Sequence, residues 1–246
     1  MTISIITVTY NNQKTVEHTI QSVLNQTYPN IEYIIINGKS TDGTLEKIKK
    51  YKNKISKVVS EADQGMYDAL NKGIEIATGE VIGFLHADDF YNDKYVIEKI
   101  ANIFNTQNID SLYGDLEYVS ASNPEKIIRN WKAGQFSIKE LKKGWMPPHP
   151  TFFVKKEVYT KLGVFNLKFR IAADYDLMLR FLGKHKISTI YLPKVLVKMR
   201  WGGTSNRSIS NIIQKSKEDY IALKENNIGG FGSLFFKNFR KLEQFF

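Results

Sequence analysis

Runs of consecutive apolar, β-branched residues, each followed by an amphipathic stretch, constrain this chain more than any other feature. Residues 3–10 (ISIITVTY), 31–37 (IEYIIIN) and 81–85 (VIGFL) carry apolar side chains at successive rather than alternate positions. Strands of that kind are covered on both faces. The stretches between them are helical. Residues 15–26 place Val16, Ile20, Val23 and Leu24 at helical spacing, and 66–77 read as a helix closed by Thr78-Gly79. Residues 44–54 read as a basic surface helix, 57–60 as a short strand, 94–105 as a helix and 111–113 as a weak strand. Repeated strand–helix–strand units predict an α/β fold: a doubly wound, mostly parallel sheet with helices on both faces. Ligands of such sheets bind beyond the C-terminal ends of the strands.

The pattern changes after about residue 115. Residues 118–132 read as a hairpin or extended pair, and 144–150 (GWMPPHP) as a proline-rich loop. A strand over 151–154, a short helix over 156–162 and a helix over 174–182 follow, the last ended by Gly183. One or two strands are expected over 187–198 and a polar helix over 211–226. Residues 231–246 place Phe231, Phe235, Phe239, Leu242 and Phe246 at helical spacing, with Lys237, Arg240 and Lys241 on other faces. That suits a helix lying in a membrane interface, and equally one docked on its own domain or on a second copy.

Composition narrows the chemistry. The chain has 246 residues and no cysteine, which excludes disulfides, thiolate metal sites and a cysteine nucleophile. Its net charge of +10 is uneven: residues 1–124 carry −5 and residues 125–246 carry +15. A basic half suggests an anionic partner such as nucleic acid, a membrane surface or a phosphate-bearing ligand. No stretch approaches the roughly 18 apolar residues of a spanning helix, and no signal peptide is visible. A cytoplasmic protein is expected, touching the membrane only at its inner surface.

Polar clusters fall where strands end. Asp88-Asp89 follows the strand at 81–85. Two adjacent carboxylates there suit a hard divalent cation bridging to a diphosphate, or a turn that caps the next helix. Asp174 opens an apolar helical pattern and reads as its N-cap, as a general base, or as both. There is no GxxxxGK[ST] loop, no GxGxxG after the first strand and no HExxH. A P-loop ATPase, a nicotinamide-dinucleotide enzyme and that class of zinc hydrolase are thereby disfavoured.

Taken together, residues 4–12 (SIITVTYNN), 31–44 (IEYIIINGKSTDGT), 61–89 (EADQGMYDALNKGIEIATGEVIGFLHADD), 149–165 and 171–181 resemble glycosyltransferase family 2, with its GT-A fold. The likeness is greatest to bacterial transferases of surface-polysaccharide assembly. It implies a nucleotide-sugar-binding half at 1–115, an acceptor half at 116–205 and a C-terminal extension at 206–246. It places Thr9, Tyr10, Asn37, Asp63, Gly65, Asn71, Asp88 and Arg200 around the donor. It puts Asp89 on a Mg²⁺ or Mn²⁺ ion, Asp174 as the catalytic base, and Trp145, His149 and Trp201 on the acceptor side. Arg200, Trp201, Gly202 and Gly203 match a loop that closes over the site.

Three positions depart from the family pattern. Asn37 stands where Asp is usual, His86 where Asn or Asp is common, and Ala173 where Glu often precedes the base. The expected reaction moves a sugar with inversion from a nucleotide-diphosphate donor, UDP foremost, to a hydroxyl of a glycan or polyprenyl-phosphate-linked acceptor. The alternative is a non-catalytic sugar-nucleotide-binding protein. Nucleic acid is not expected as a partner, because no recognition module accompanies the charge. A homo-oligomer remains open.

Overall fold

The computed structural model describes residues 1–202 and 209–243. At its centre β1 (Ile3–Thr9) lies between β2 (Ile31–Asn37) and β4 (Val81–Phe84), parallel to both, and β3 (Lys57–Ser60) extends the sheet beyond β2. Alternation along β1 explains the continuous apolar run. Ile6 and Val8 enter one apolar layer with α3 (Met66–Ile76), while Ile3 and Ile5 enter the other with α1 (Val16–Leu24) and α4 (Val96–Thr106). Both faces are dry, so no polar position is needed. The side chain missing at Gly83 makes room for a neighbour, since a Cβ there would lie 2.2 Å from the Phe153 ring.

Beyond β4 the sheet becomes mixed. β8 (Phe153–Lys155) pairs antiparallel with β4 and with the start of β6 (Ser111–Val119). β9 (Thr189–Arg200) runs parallel to β6, and β7 (Ile127–Trp131) pairs antiparallel with its far end. β5 (Asp89–Tyr91) closes the edge against β9, giving the order β3-β2-β1-β4-β8-β6-β9-β5. Most of the paired length is parallel, as the strand–helix alternation predicts.

Long-range pairing accounts for the departures from the sequence reading. Asp89–Tyr91 is a strand rather than a turn or cap, because it pairs with Met199, Lys198 and Val197. The strand expected over 111–113 continues to Val119 because β7 and β9 flank it. The segment 187–198 gives one strand that reaches Arg200. It tolerates Pro193 through a slip in register: Leu192 faces Gly114, but Val195 faces Asp115. A short helix, α5 (Ile138–Lys142), was not foreseen.

Asp174 is not an N-cap. The helix α7 (Ala173–Met178) is capped at Ala172, and wider π-type turns continue it over 179–184. After α6 (Lys156–Leu162) and α7, two more helices complete the fold: α8 (Ile209–Glu225) and α9 (Phe231–Glu243). Ala222, Leu223 and Ile228 join the same apolar layer as α3 and α7. Among the described residues no helix is long and apolar enough to cross a membrane. Gly203 and Phe246 lie outside the described residues, as do the side chains of Phe239, Arg240, Lys241 and Leu242.

Candidate active site

The C-terminal ends of β1, β2 and β4 open on one side of the sheet. β1 ends on the buried Thr9, and the exposed Tyr10 follows it. Thr9 Oγ1 donates to Asn12 Oδ1 at 3.2 Å, and Asn11 has φ 54°. After β2, Gly38 lets Asp63 approach closely: a Cβ there would lie 2.3 Å from Asp63 Oδ2 and 3.5 Å from the Tyr10 ring. Asp63 Oδ1 accepts the Gly65 N–H at 2.9 Å and shapes the entry to α3, where Gly65 has φ 119°. A side chain at Gly65 would be strained. Tyr10, Gly38, Asp63 and Gly65 therefore form one lip.

Two expected donor residues are bonded to protein groups. Asn37 is fully buried; its Nδ2 donates to Ser60 Oγ at 2.7 Å and its Oδ1 accepts from Ser40 Oγ at 2.5 Å. Its amide bridges Ser60 and the Ser40 loop. Asn71 forms a reciprocal pair with the Phe165 backbone, at 2.9 and 3.0 Å, and ties α3 to the segment leading to α7.

Asp89 is the outlier of the site. It is completely buried, and among the described residues neither carboxylate oxygen reaches a donor at full hydrogen-bond geometry, although the Arg200 backbone N–H comes near it. Burial and then the neighbouring Asp88 charge push its carboxyl well above the ordinary range; the Arg200 backbone N–H and guanidinium offset this only in part. Thr19 Oγ1 holds the Asp89 carbonyl at 2.7 Å. Arg200, at the end of β9, donates to the Asp88 carbonyl and contacts His18 Nδ1, with its guanidinium 5.0 Å from the Phe90 ring centre. A buried carboxylate so poorly supplied with donors fits a hard cation. Among the described residues no group of three His, Cys, Asp or Glu side chains is placed to hold one. The protein would thus supply one or two carboxylates and leave the remaining positions to water and substrate phosphates, as is usual for Mg²⁺.

Asp174 faces the same region from α7. Its Oδ1 accepts from Tyr67 Oη at 3.1 Å and from the Tyr175 N–H at 2.8 Å. His86 feels the charges of both Asp88 and Asp174, and Tyr118 those of both Asp89 and Asp174. These shared neighbours bring the two carboxylate sets together. His149 stacks near His86, with ring centres 5.8 Å apart, and is buried. Burial and the nearby His86 lower its pKa to about 4 against the opposing pull of Asp174.

The tryptophans differ. Trp201 is 43% exposed and stands edge-on to Tyr118. Trp145 is buried, packs on Tyr113 and Phe136, and donates its indole N–H to Ala133 O at 2.7 Å. It is a core residue in this conformation. A cleft of about 510 Å³ opens beside Tyr67, walled by Gly65, Met66, Leu167, Arg170 and Ile171. Tyr67, Tyr118 and His18 were not foreseen as site residues. The register that brings their elements together is not encoded near them in the chain.

The mixed, mostly parallel sheet with helices on both faces is the GT-A fold of the solved glycosyltransferases it matches. The chain belongs to glycosyltransferase family 2: the family model "Glycosyl transferase family 2" matches residues 4–165. A curated relative is the PGL/p-HBAD biosynthesis glycosyltransferase of Mycobacterium bovis, 28% identical over 82% of this chain and 78% of its own length. Two solved structures share the fold. S. aureus TarS 1–349 in complex with UDP-GlcNAc gives a TM-score of 0.72 at 18% identity, and the match covers 93% of this chain and 66% of that one, just under two thirds. The mannosyltransferase PcManGT from Pyrobaculum calidifontis, in complex with GDP-Man and Mn²⁺, gives 0.66 at 17% identity, covering 98% and 68%.

Proposed function

We propose that this protein is an inverting, metal-dependent glycosyltransferase that moves a hexosyl or related sugar from a nucleotide-diphosphate donor to an acceptor hydroxyl in surface-polysaccharide synthesis. The observation that carries the reading is Asp89, a buried carboxylate without a fully formed hydrogen bond at the strand ends. Mg²⁺ or Mn²⁺ held there by Asp89, with Asp88 beside it, supplies neutralisation of the leaving diphosphate. Tyr10 and Asp63 are the groups for the base; the Asp63 carboxylate can accept from an imino N–H of uracil or guanine. Asn37, which replaces the usual Asp and is bonded to Ser60 and Ser40, weakens the choice of base; UDP remains the donor we favour.

Asp174 takes the proton of the acceptor hydroxyl. The oxygen attacks the anomeric carbon, the bond to the diphosphate breaks, and the configuration inverts. Tyr67 and the Tyr175 amide orient the carboxylate. General-base assistance is worth about 10²–10⁴-fold, so Asp174→Asn should lower kcat by that order while donor binding persists. His149, beside His86 and within the field of Asp174, and Trp201 are the residues assigned to the acceptor side.

The acceptor proposed is a glycan or polyprenyl-phosphate-linked sugar. The Arg170-bearing cleft and the basic second half support an anionic lipid-linked ligand. Contact with the inner membrane face would run through α9, whose Phe231, Phe235 and Phe236 are 77, 56 and 52% exposed. The deciding experiment is a thermal-shift panel of UDP-GlcNAc, other UDP-sugars and GDP-mannose, with and without Mn²⁺. A metal-dependent stabilisation by one of them is expected. No shift with any would remove the donor-site reading, and binding without turnover would point to a non-catalytic sugar-nucleotide-binding protein.

A further inference from the structure

The backbone just ahead of Asp174 is gripped from the C-terminal helices. Three consecutive amides, those of Arg170, Ile171 and Ala172, all donate to the Glu218 carboxylate, at 3.1, 2.7 and 2.9 Å. Glu218 sits on α8, is 7% exposed, and is steadied by Gln214 Nε2 at 2.9 Å. Amides converging on one carboxylate are charge-assisted bonds, among the strongest a protein makes. From the opposite side, Tyr67 Oη donates to both the Ile171 carbonyl, at 2.8 Å, and Asp174. The same pair of helices holds the rest of α7. Asn226 Nδ2 donates to Asp176 at 2.9 Å, and Lys237 Nζ lies 3.1 Å from the Tyr175 ring centre while pairing with Asp219 at 2.8 Å. Besides bonds within its own helix, the turn that carries Asp174 is thus held from α3, from α8 and the residue after it, and from α9.

We propose that Glu218 is a positioning residue for the transfer reaction, fixing segment 170–172 and thereby the place of the Asp174 carboxylate. The inference rests on the reading of Asp174 as the base. A misplacement of about 1 Å in a reacting group can cost about 10²-fold in rate. A plain anchor for α8 would behave differently, since its loss would weaken folding and donor binding together. The lip residues Tyr10, Gly38, Asp63 and Gly65 make none of the hydrogen bonds that tie Glu218 to segment 170–172, so a positioning role reads out in kcat rather than in donor KM.

The test uses the full chain and follows release of UDP from UDP-GlcNAc, or of GDP from GDP-mannose, with Mn²⁺ and a polyprenyl-phosphate-linked glycan as acceptor. Glu218→Gln should lower kcat roughly 10–100-fold with the donor KM unchanged, and Glu218→Asp should recover part of the loss. Wild-type kcat in Glu218→Gln, alongside inactive Asp174→Asn, overturns the proposal and leaves the base reading standing. Equal losses of kcat and donor affinity also overturn it, since they mark a structural anchor. An active Asp174→Asn removes the base reading and this inference with it. If Glu218→Gln does not fold, Gln214→Ala loosens one carboxylate oxygen. A smaller kcat loss at unchanged KM then supports the proposal, and an unchanged kcat overturns it.

Discussion

Asp89 shows how one side chain trades stability for function. A buried polar group without a partner costs about 1–3 kcal/mol, and here the group is a carboxylate next to a second one. Asp89→Asn removes the charge and its repulsion by Asp88, so it should leave the metal-free protein at least as stable as the wild type and abolish the Mn²⁺-dependent shift with a sugar nucleotide. Lower stability in the metal-free variant would show that the carboxylate is satisfied in the fold. Glu32 is the opposite case. Burial opposes its charge, but hydrogen bonds from Lys57, Ser4 and Thr78 prevail and bring its pKa from 4.5 to about 2. Between these values the unfolded chain binds the proton and the folded chain does not, so stability rises with pH. The advantage of the wild type over Glu32→Gln, read from melting curves, should be full above about pH 4.5 and vanish as pH falls through about 2. His149 adds a second window. Its folded pKa of about 4 against 6.5 makes stability rise with pH between those values.

At the scale of elements, α9 combines two surfaces that sequence spacing could not separate. One face docks through the buried Ser233 and Lys237, while Phe231, Phe235 and Phe236 remain outside. Exposed substitutions seldom move stability by more than about 0.5 kcal/mol. A triple Phe231/Phe235/Phe236→Ser variant should thus melt like the wild type yet lose roughly tenfold or more of its partitioning onto anionic vesicles. Equal vesicle binding with a changed oligomeric state would assign the face to a second copy. The helices α1, α3 and α4 were legible because their apolar spacing answers to the sheet directly beside them. The strand β5 was not, since its residues pair with β9 from the far end of the chain and carry no local signature for it.

Across the whole molecule, α8 packs into the same apolar layer as α3 and α7, and α9 is tied to it through Lys237 and Asp219. Removing residues after 230 would strip Lys237 from Asp219, which is 2% exposed. Breaking a buried pair from one side typically costs about 3–5 kcal/mol. The truncated chain should lose that much in denaturant unfolding, and Asp219→Asn in the same background should recover part. An unchanged midpoint after truncation would show that α9 is a mere appendage. The sequence by itself determined the α/β alternation, the strand ends that carry Thr9, Asn37 and Asp88-Asp89, and the turn bearing Asp174, because apolar periodicity and turn chemistry are local. Only the tertiary structure decided that Asn37 and Asn71 bind protein, that Trp145 is core, that Asp89 is buried without a fully formed hydrogen bond, and that Glu218 clasps the turn before Asp174. Each depends on contacts between distant segments, where burial and pairing are set by packing rather than by neighbours in the chain.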